Sequence, residues 1–96
     1  MPAESISAYV IGPHAAFEMG RRGISADTVQ GVMSAPEQRL HVRLGRVVLQ
    51  SRVDRGAERK AALVRVFVDI DRVPAVVVTV YATSKVAKYW RPVNES

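Results

Sequence analysis

The stretch SAPEQRLHVRLGRVVLQSR, Ser34 to Arg52, contains the point at which the spacing of apolar residues changes. Before it, Val29, Val32 and Met33 recur at the intervals of one helix face. Within it, Leu40, Val42 and Leu44 alternate with Arg39, His41 and Arg43, the period of two expected of a half-buried strand. Pro36 stands between the two patterns and disfavours helical geometry in the residue before it. The chain therefore changes there from helix to sheet.

Reading forward, Gly45 makes a tight turn into a second strand, Arg46 to Val53, and the polar DRGAERK, Asp54 to Lys60, connects it to AALVRVFVDI. There Val64, Val66, Val68 and Ile70 alternate again. DIDRVP turns the chain into AVVVTVY, Ala75 to Tyr81, whose β-branched run suits a central strand covered on both sides, with Val76 to Val80 at its middle. The tail, ATSKVAKYWRPVNES, reads either as a further edge strand or as a loop over the sheet.

Reading backward, Ser25 is placed to cap a helix over Ala26 to Ala35, with Asp27 favourable at its positive end and Ile24 set to staple onto Val29. An earlier helix spans Pro13 to Arg22: proline fits a first helical turn, Gly23 supplies a left-handed closing residue, and Ala15, Ala16 and Met19, with Phe17 nearby, form its buried side. AYVI, Ala8 to Ile11, is a short extended lead-in. The expected fold is a single α+β domain over residues 1–96, two amino-terminal helices packed on one face of an antiparallel sheet of about four strands.

Ninety-six residues suffice for one hydrophobic core and not for two. The 48% hydrophobic and 24% charged content is that of a folding chain rather than a disordered one. With no cysteine, disulfides, thiolate metal sites and thiol nucleophiles are excluded, which suits a reducing cytoplasm. No apolar run approaches the roughly 18 residues of a membrane span. MPAESISAYV also lacks the basic and apolar segments of a signal peptide, so the expected location is cytoplasmic, with no membrane partner.

Fourteen Lys and Arg against nine Asp and Glu leave a net charge of +5, which makes polyanions plausible partners, although such a charge also simply keeps a small domain in solution. Most of the bases are arginine, whose planar fork matches phosphate. Alternation along the first two strands sends Arg39, His41 and Arg43, and with them Arg46, Gln50 and Arg52, away from the helices. That face either tracks a nucleic-acid backbone or is the solvated side of a sheet. Arg65, flanked by valines, must emerge there or pair with a carboxylate. Thr79 and Tyr81, two apart, point to one side, as a hydroxyl pair for a phosphate or as ordinary strand formers. In KVAKYWRP, Lys85, Lys88 and Arg91 are interleaved with Tyr89 and Trp90, a pattern that suits base stacking or a terminal patch on the core.

HAAFEMGRRGIS, His14 to Ser25, resembles the His-Ala-x-x-x-Met-x-x-Arg-Gly-Ile-Ser opening of the small domains called DUF4258. VQGVMSAPEQ, LGRVVLQ, VRVFVDI and VVVTVYATS resemble that family's second helix and successive strands, so the likeness covers about His14 to Tyr89. The resemblance implies a RelE/ParE/barnase-like toxin fold and metal-independent RNA cleavage. It also implies RNA, with or without the ribosome, as substrate, and a cognate antitoxin or immunity protein as partner. ParE-like inhibition of a protein target, or nucleic-acid binding without catalysis, are the other functions such a fold carries.

Cleavage without a metal or other cofactor needs a base for the ribose 2′-hydroxyl, cations for the charge on the phosphate and an acid for the leaving oxygen. An imidazole is the side chain suited to proton transfer at neutral pH, so His14 is the natural acid or base; Glu18, four residues on, is placed to orient it. A histidine there also fits a packing or capping role. The expected catalytic set is His14, Arg22, Arg65, Thr79 and Tyr81, with Arg39, His41, Arg43, Arg52 and Lys88 binding nucleic acid. The family often has arginine where this chain has Glu18, which removes one cation from the pattern.

Overall fold

The structure, a computed structural model, describes residues 3–55 and 60–91. The middle of the polar connection expected between Asp54 and Lys60 and the end of the tail lie outside the described residues. In chain order the elements are β1 (Tyr9–Ile11), α1 (Pro13–Arg22), α2 (Ala26–Ser34), β2 (Gln38–Arg43), β3 (Arg46–Arg55), β4 (Lys60–Asp69), β5 (Ala75–Thr83) and α3 (Val86–Tyr89). The change from helix to sheet falls at Pro36, as the change of period requires.

The local signals act as physics demands. Thr28 N–H donates to Ser25 Oγ at 3.0 Å, satisfying one of the amides that the start of α2 leaves without a helical partner. Gly23 closes α1 in the left-handed region at φ 68°. Gly45 turns β2 into β3 at φ 81°, and a Cβ there would stand 2.9 Å from Asp71 Oδ2. On α1, Ala15 and Met19 are buried but Ala16 and Phe17 are exposed, so its buried stripe is narrower than expected.

The sheet has five strands in the order β1-β5-β4-β3-β2. Strands β2 to β5 form the expected antiparallel meander, but β1 adds to β5 in parallel, pairing Tyr9 with Ala75 and Ile11 with Val77, which makes the sheet mixed. The lead-in read as AYVI is therefore an edge strand. It also places β5 inside the sheet, while β4 holds the middle position. Among the described residues no helix is long and apolar enough to cross a membrane.

Both helices lie over one face. Met19, Ile24, Val29, Val32 and Met33 pack there with Val47 and Leu49 of β3, Val64, Val66 and Val68 of β4, and Val77 and Val80 of β5. Two irregularities decide what stands on the other face. Between β4 and β5, Phe67 pairs with Thr79 and Val68 with Val77, so Val78 is an extra residue and the alternation of β5 reverses there. Ala75 and Val77 before the bulge and Val80 after it all join the helix-side core, while Thr79 and Tyr81 stand across from Phe67 and Arg65.

The register of β2 corrects a second expectation. Gln38 pairs with Gln50 and Leu40 with Val48, whereas Arg39 pairs with Leu49 and His41 with Val47, residues of the helix-side core. Arg39 therefore belongs to the helix side and not to the positive far face, whereas His41, paired on the same side but exposed next to the irregularity before Arg43, also borders the far-face groove of Arg65. The far face is not open either. Val48 and Leu63 are fully buried on it, and the tail, expected as an edge strand or loop, forms the short α3 over it.

Candidate nucleic-acid interface

Arg65 occupies the middle of the far face because β4 is the central strand and the residue sits opposite Gln50 on β3 and Tyr81 on β5. Its Nε donates to Gln50 Oε1 at 2.8 Å and its Nη1 to Tyr81 Oη at 2.7 Å. Rings surround the guanidinium: its central carbon lies 4.5 Å from the centroid of Tyr89, 5.2 Å from Phe67 and 5.7 Å from Tyr81. Such cation–ring contacts strengthen as water is removed. Phe67 and Tyr81 stack at 6.0 Å between centroids, and Tyr89 meets Tyr81 edge-on at 6.3 Å.

The carboxy-terminal segment is held against this cluster by amides. Gln50 Nε2 donates to Gln38 Oε1 at 2.7 Å and to the Tyr89 carbonyl at 3.2 Å. Gln38 in turn donates to the Arg91 carbonyl and accepts from the Arg91 amide at 3.1 Å. A groove of about 310 Å³ remains between β2 and the segment, bordered by Arg65, Phe67, Lys88, Tyr89 and Arg91. Lys88 Nζ lies 5.4 Å from the Tyr89 ring centre.

Three other arginines of the sheet, Arg39, Arg46 and Arg52, have carboxylate partners. Arg46 donates twice to Asp69, at 2.6 and 3.2 Å, and Arg52 donates to both oxygens of Glu37 at 3.1 Å while lying 4.2 Å over the Trp90 ring. The hydrogen bond from Arg46 holds Asp69 below its usual pKa, with the charges of Arg46, Arg43 and Arg72 adding to it. Glu37 is lowered in the same way, first by the Arg52 side chain and then by its backbone amide. Arg39 reaches back to Glu4, at 3.7 Å from its carboxylate. Among the described residues Arg65 forms no ion pair. Among the described residues this partly buried cation meets neutral acceptors and ring faces and no counter-charge of the kind such groups ordinarily have.

The residues expected to act together are thus divided. Arg65 and Tyr81 touch, and Thr79 lies on their face across from Phe67. His14 is exposed at the start of α1 and borders a different groove of about 280 Å³ with Asp69, Arg72, Val76 and Val78, which shares no residue with that of Arg65. Glu18 does not orient His14: its Oε1 accepts from Arg21 Nη2 at 3.0 Å and Arg22 Nε at 2.9 Å, which lowers its pKa. Those arginines follow Glu18 by three and four residues and reach it without strain. Arg22 lies at the far end of α1 from His14 and is engaged there. Of the expected nucleic-acid binders, Arg52 and Lys88 reach the far face, Arg43 stands opposite Arg46 at its edge, His41 borders the Arg65 groove from β2, and Arg39 does not reach it.

Gln50 and Gln38 were not singled out by chemistry, because an amide carries no charge or titration to mark it; the one sequence signal was a glutamine inside the apolar run RVVLQ. Among the described residues no group of three or more His, Asp or Glu side chains converges in a way that could hold a metal ion. Comparison of the chain with family models, with curated proteins and with solved structures found no match.

Proposed function

We propose that this chain is a RelE-like, toxin-type domain that binds single-stranded RNA over the far face of its sheet, with Arg65 as the phosphate-binding centre. The observation that carries the reading is Arg65 itself, a partly buried guanidinium held by Gln50 and Tyr81 with no carboxylate partner among the described residues. A phosphodiester supplies the missing charge and matches the planar fork. Lys88 and Arg91 at the rim add attraction, and the rings of Tyr89 and Trp90 offer surfaces for bases. The order of elements, two helices over one face of a meander, and the resemblance of His14–Ser25 to the DUF4258 opening support the family side of the proposal.

A second reading, metal-independent ribonuclease activity at the same place, is favoured by the 2.7 Å contact between Arg65 and the Tyr81 hydroxyl. A phenol that accepts from the guanidinium keeps its own proton to donate, so Tyr81 stands where a proton can pass to a phosphate oxygen held by Arg65. His14 is the alternative acid or base, and its separate groove weighs against it. Anisotropy titrations of a labelled single-stranded RNA at several salt concentrations test binding. Binding that is absent at low salt, or indifferent to salt, overturns the first reading. Incubation of RNA with and without ribosomes in the presence of chelator tests cleavage, 2′,3′-cyclic phosphate ends being the expected products. Tyr81→Phe and His14→Ala then separate the two acid–base assignments, the true one costing roughly 10²- to 10⁴-fold in rate.

A further inference from the structure

On the far face β3 carries Arg46 and Arg52 on either side of Gln50, and both arginines are neutralised by carboxylates, Asp69 and Glu37. Arg65, opposite Gln50 on the next strand, is met instead by an amide. We infer that Gln50 is a positioning residue whose neutrality keeps the charge of Arg65 available to an anionic ligand. This rests on the reading of Arg65 as a phosphate-binding centre.

The side chain at position 50 has to satisfy two demands at once. It is 0% exposed, so each of its polar atoms needs a partner. On one side it must accept, from Arg65 Nε at 2.8 Å; on the other it must donate, to Gln38 Oε1 at 2.7 Å and the Tyr89 carbonyl at 3.2 Å. A carboxylate meets the first demand and fails the second, because it has no proton for either acceptor. An apolar side chain fails both. The amide of Gln50 accepts toward Arg65 and donates twice toward Gln38 and the carboxy-terminal segment, and it brings no charge. The hydrogen bond therefore fixes the direction of the guanidinium without neutralising it, and the same residue ties that direction to the position of Tyr89 at the groove. Among the described residues no buried side-chain nitrogen or oxygen lacks a partner, so this arrangement is fully satisfied with Arg65 still uncompensated.

The test compares binding with stability in the full chain. A labelled single-stranded oligouridylate is titrated by anisotropy over a range of salt with wild type, Gln50→Glu, Gln50→Met and Arg65→Met, and each protein is melted by circular dichroism. Gln50→Glu is expected to bind roughly 10- to 100-fold more weakly, the loss expected for one charge-assisted contact. Its slope of log affinity against log salt should fall by about 0.7, one phosphate on a single strand, as in Arg65→Met. Gln50→Met should melt at a lower temperature and yet keep the wild-type salt slope, because it leaves the guanidinium charged and unpaired. A purely structural role predicts the opposite order, with affinity following melting temperature. The inference is overturned if Gln50→Glu retains wild-type affinity and slope while Arg65→Met loses them. Should Gln50→Glu not fold, a slope in Gln50→Met reduced to that of Arg65→Met overturns it equally. If Arg65→Met binds as wild type does, the phosphate-centre reading fails instead and the role of Gln50 falls with it.

Discussion

On the helix side of the sheet, Val47, Leu49, Val64, Val66 and Val77 meet Val29, Val32 and Met33, and the buried side chains are apolar apart from Ser51, whose hydroxyl accepts from the Glu37 amide. On the far side Val48 and Leu63 are as deeply buried, but beside them lie Gln50, Arg65 and Tyr81, joined by hydrogen bonds and covered by one turn of helix and the residues after it. The first face is closed by nineteen residues of α1 and α2, the second by a segment held largely through the amides of Gln38 and Gln50. Apolar burial has no direction and tolerates nothing but good packing, whereas a hydrogen-bonded cluster is directional and can hold a charge in one place. Most of the apolar burial therefore lies on one face, while the proposed RNA contact lies on the other.

The largest expected effect breaks the first face. Leu49→Ala empties a fully buried site under α2 and should cost about 2–5 kcal/mol in urea denaturation, enough to unfold much of a marginal domain. Arg65→Met sharpens the contrast, since an unbranched apolar side chain fits among Phe67, Tyr81 and Tyr89. Its circular dichroism should be unchanged while RNA affinity falls roughly 10- to 100-fold. Equal loss of structure in both variants would erase the division between the faces. Ser25→Ala, which removes only the cap of α2, should lower stability by about 1 kcal/mol and leave RNA binding alone.

A smaller effect is visible only with pH. Asp69 has its folded pKa depressed by Arg46, so the pair contributes stability that is present above the ordinary carboxylate range and is lost as pH falls through the folded pKa. Asp69→Asn should therefore melt below wild type at pH 7, and the gap should narrow as the pH falls below about 4. A gap that stays constant to pH 2 would show that the ion pair is not its source. The smallest expected effect is that of His14→Ala on RNA affinity, which should be none, because His14 borders another groove.

Much of the architecture is legible in local sequence because its causes are local. The proline at 36, the serine cap at 25, the closing glycine at 23 and the valine alternation of β4 each act within a few residues, and α1, α2 and the four long strands follow from them. Arg65 was legible for the same reason, as a charge inside a valine run that needs a destination. His14 with Glu18 misled, since four-residue spacing permits a contact without choosing between that partner and the arginines at 21 and 22.

What alternation leaves undetermined is which of its two sides faces the helices, because a period of two reads the same from either face. In β2 the pairing of Leu40 with Val48 made that choice and carried Arg39 to the helix side. In β5 the extra residue Val78 made it, turning Tyr81 toward Arg65 when the valines before it point the other way. The parallel addition of β1 and the docking of α3 likewise depend on partners distant in the chain, Tyr9 on Ala75 and Gln38 on Arg91. Local sequence sufficed for the two longer helices, the four long strands, most of their buried valines and the need of Arg65 for either an open face or a carboxylate, but not for α3 or for the exposure of Phe17, Val42, Leu44 and Ile70. Only the tertiary structure decided that Gln50, Tyr81 and Tyr89 would surround it, since register and bulges are settled by strand pairing and packing between segments rather than within them.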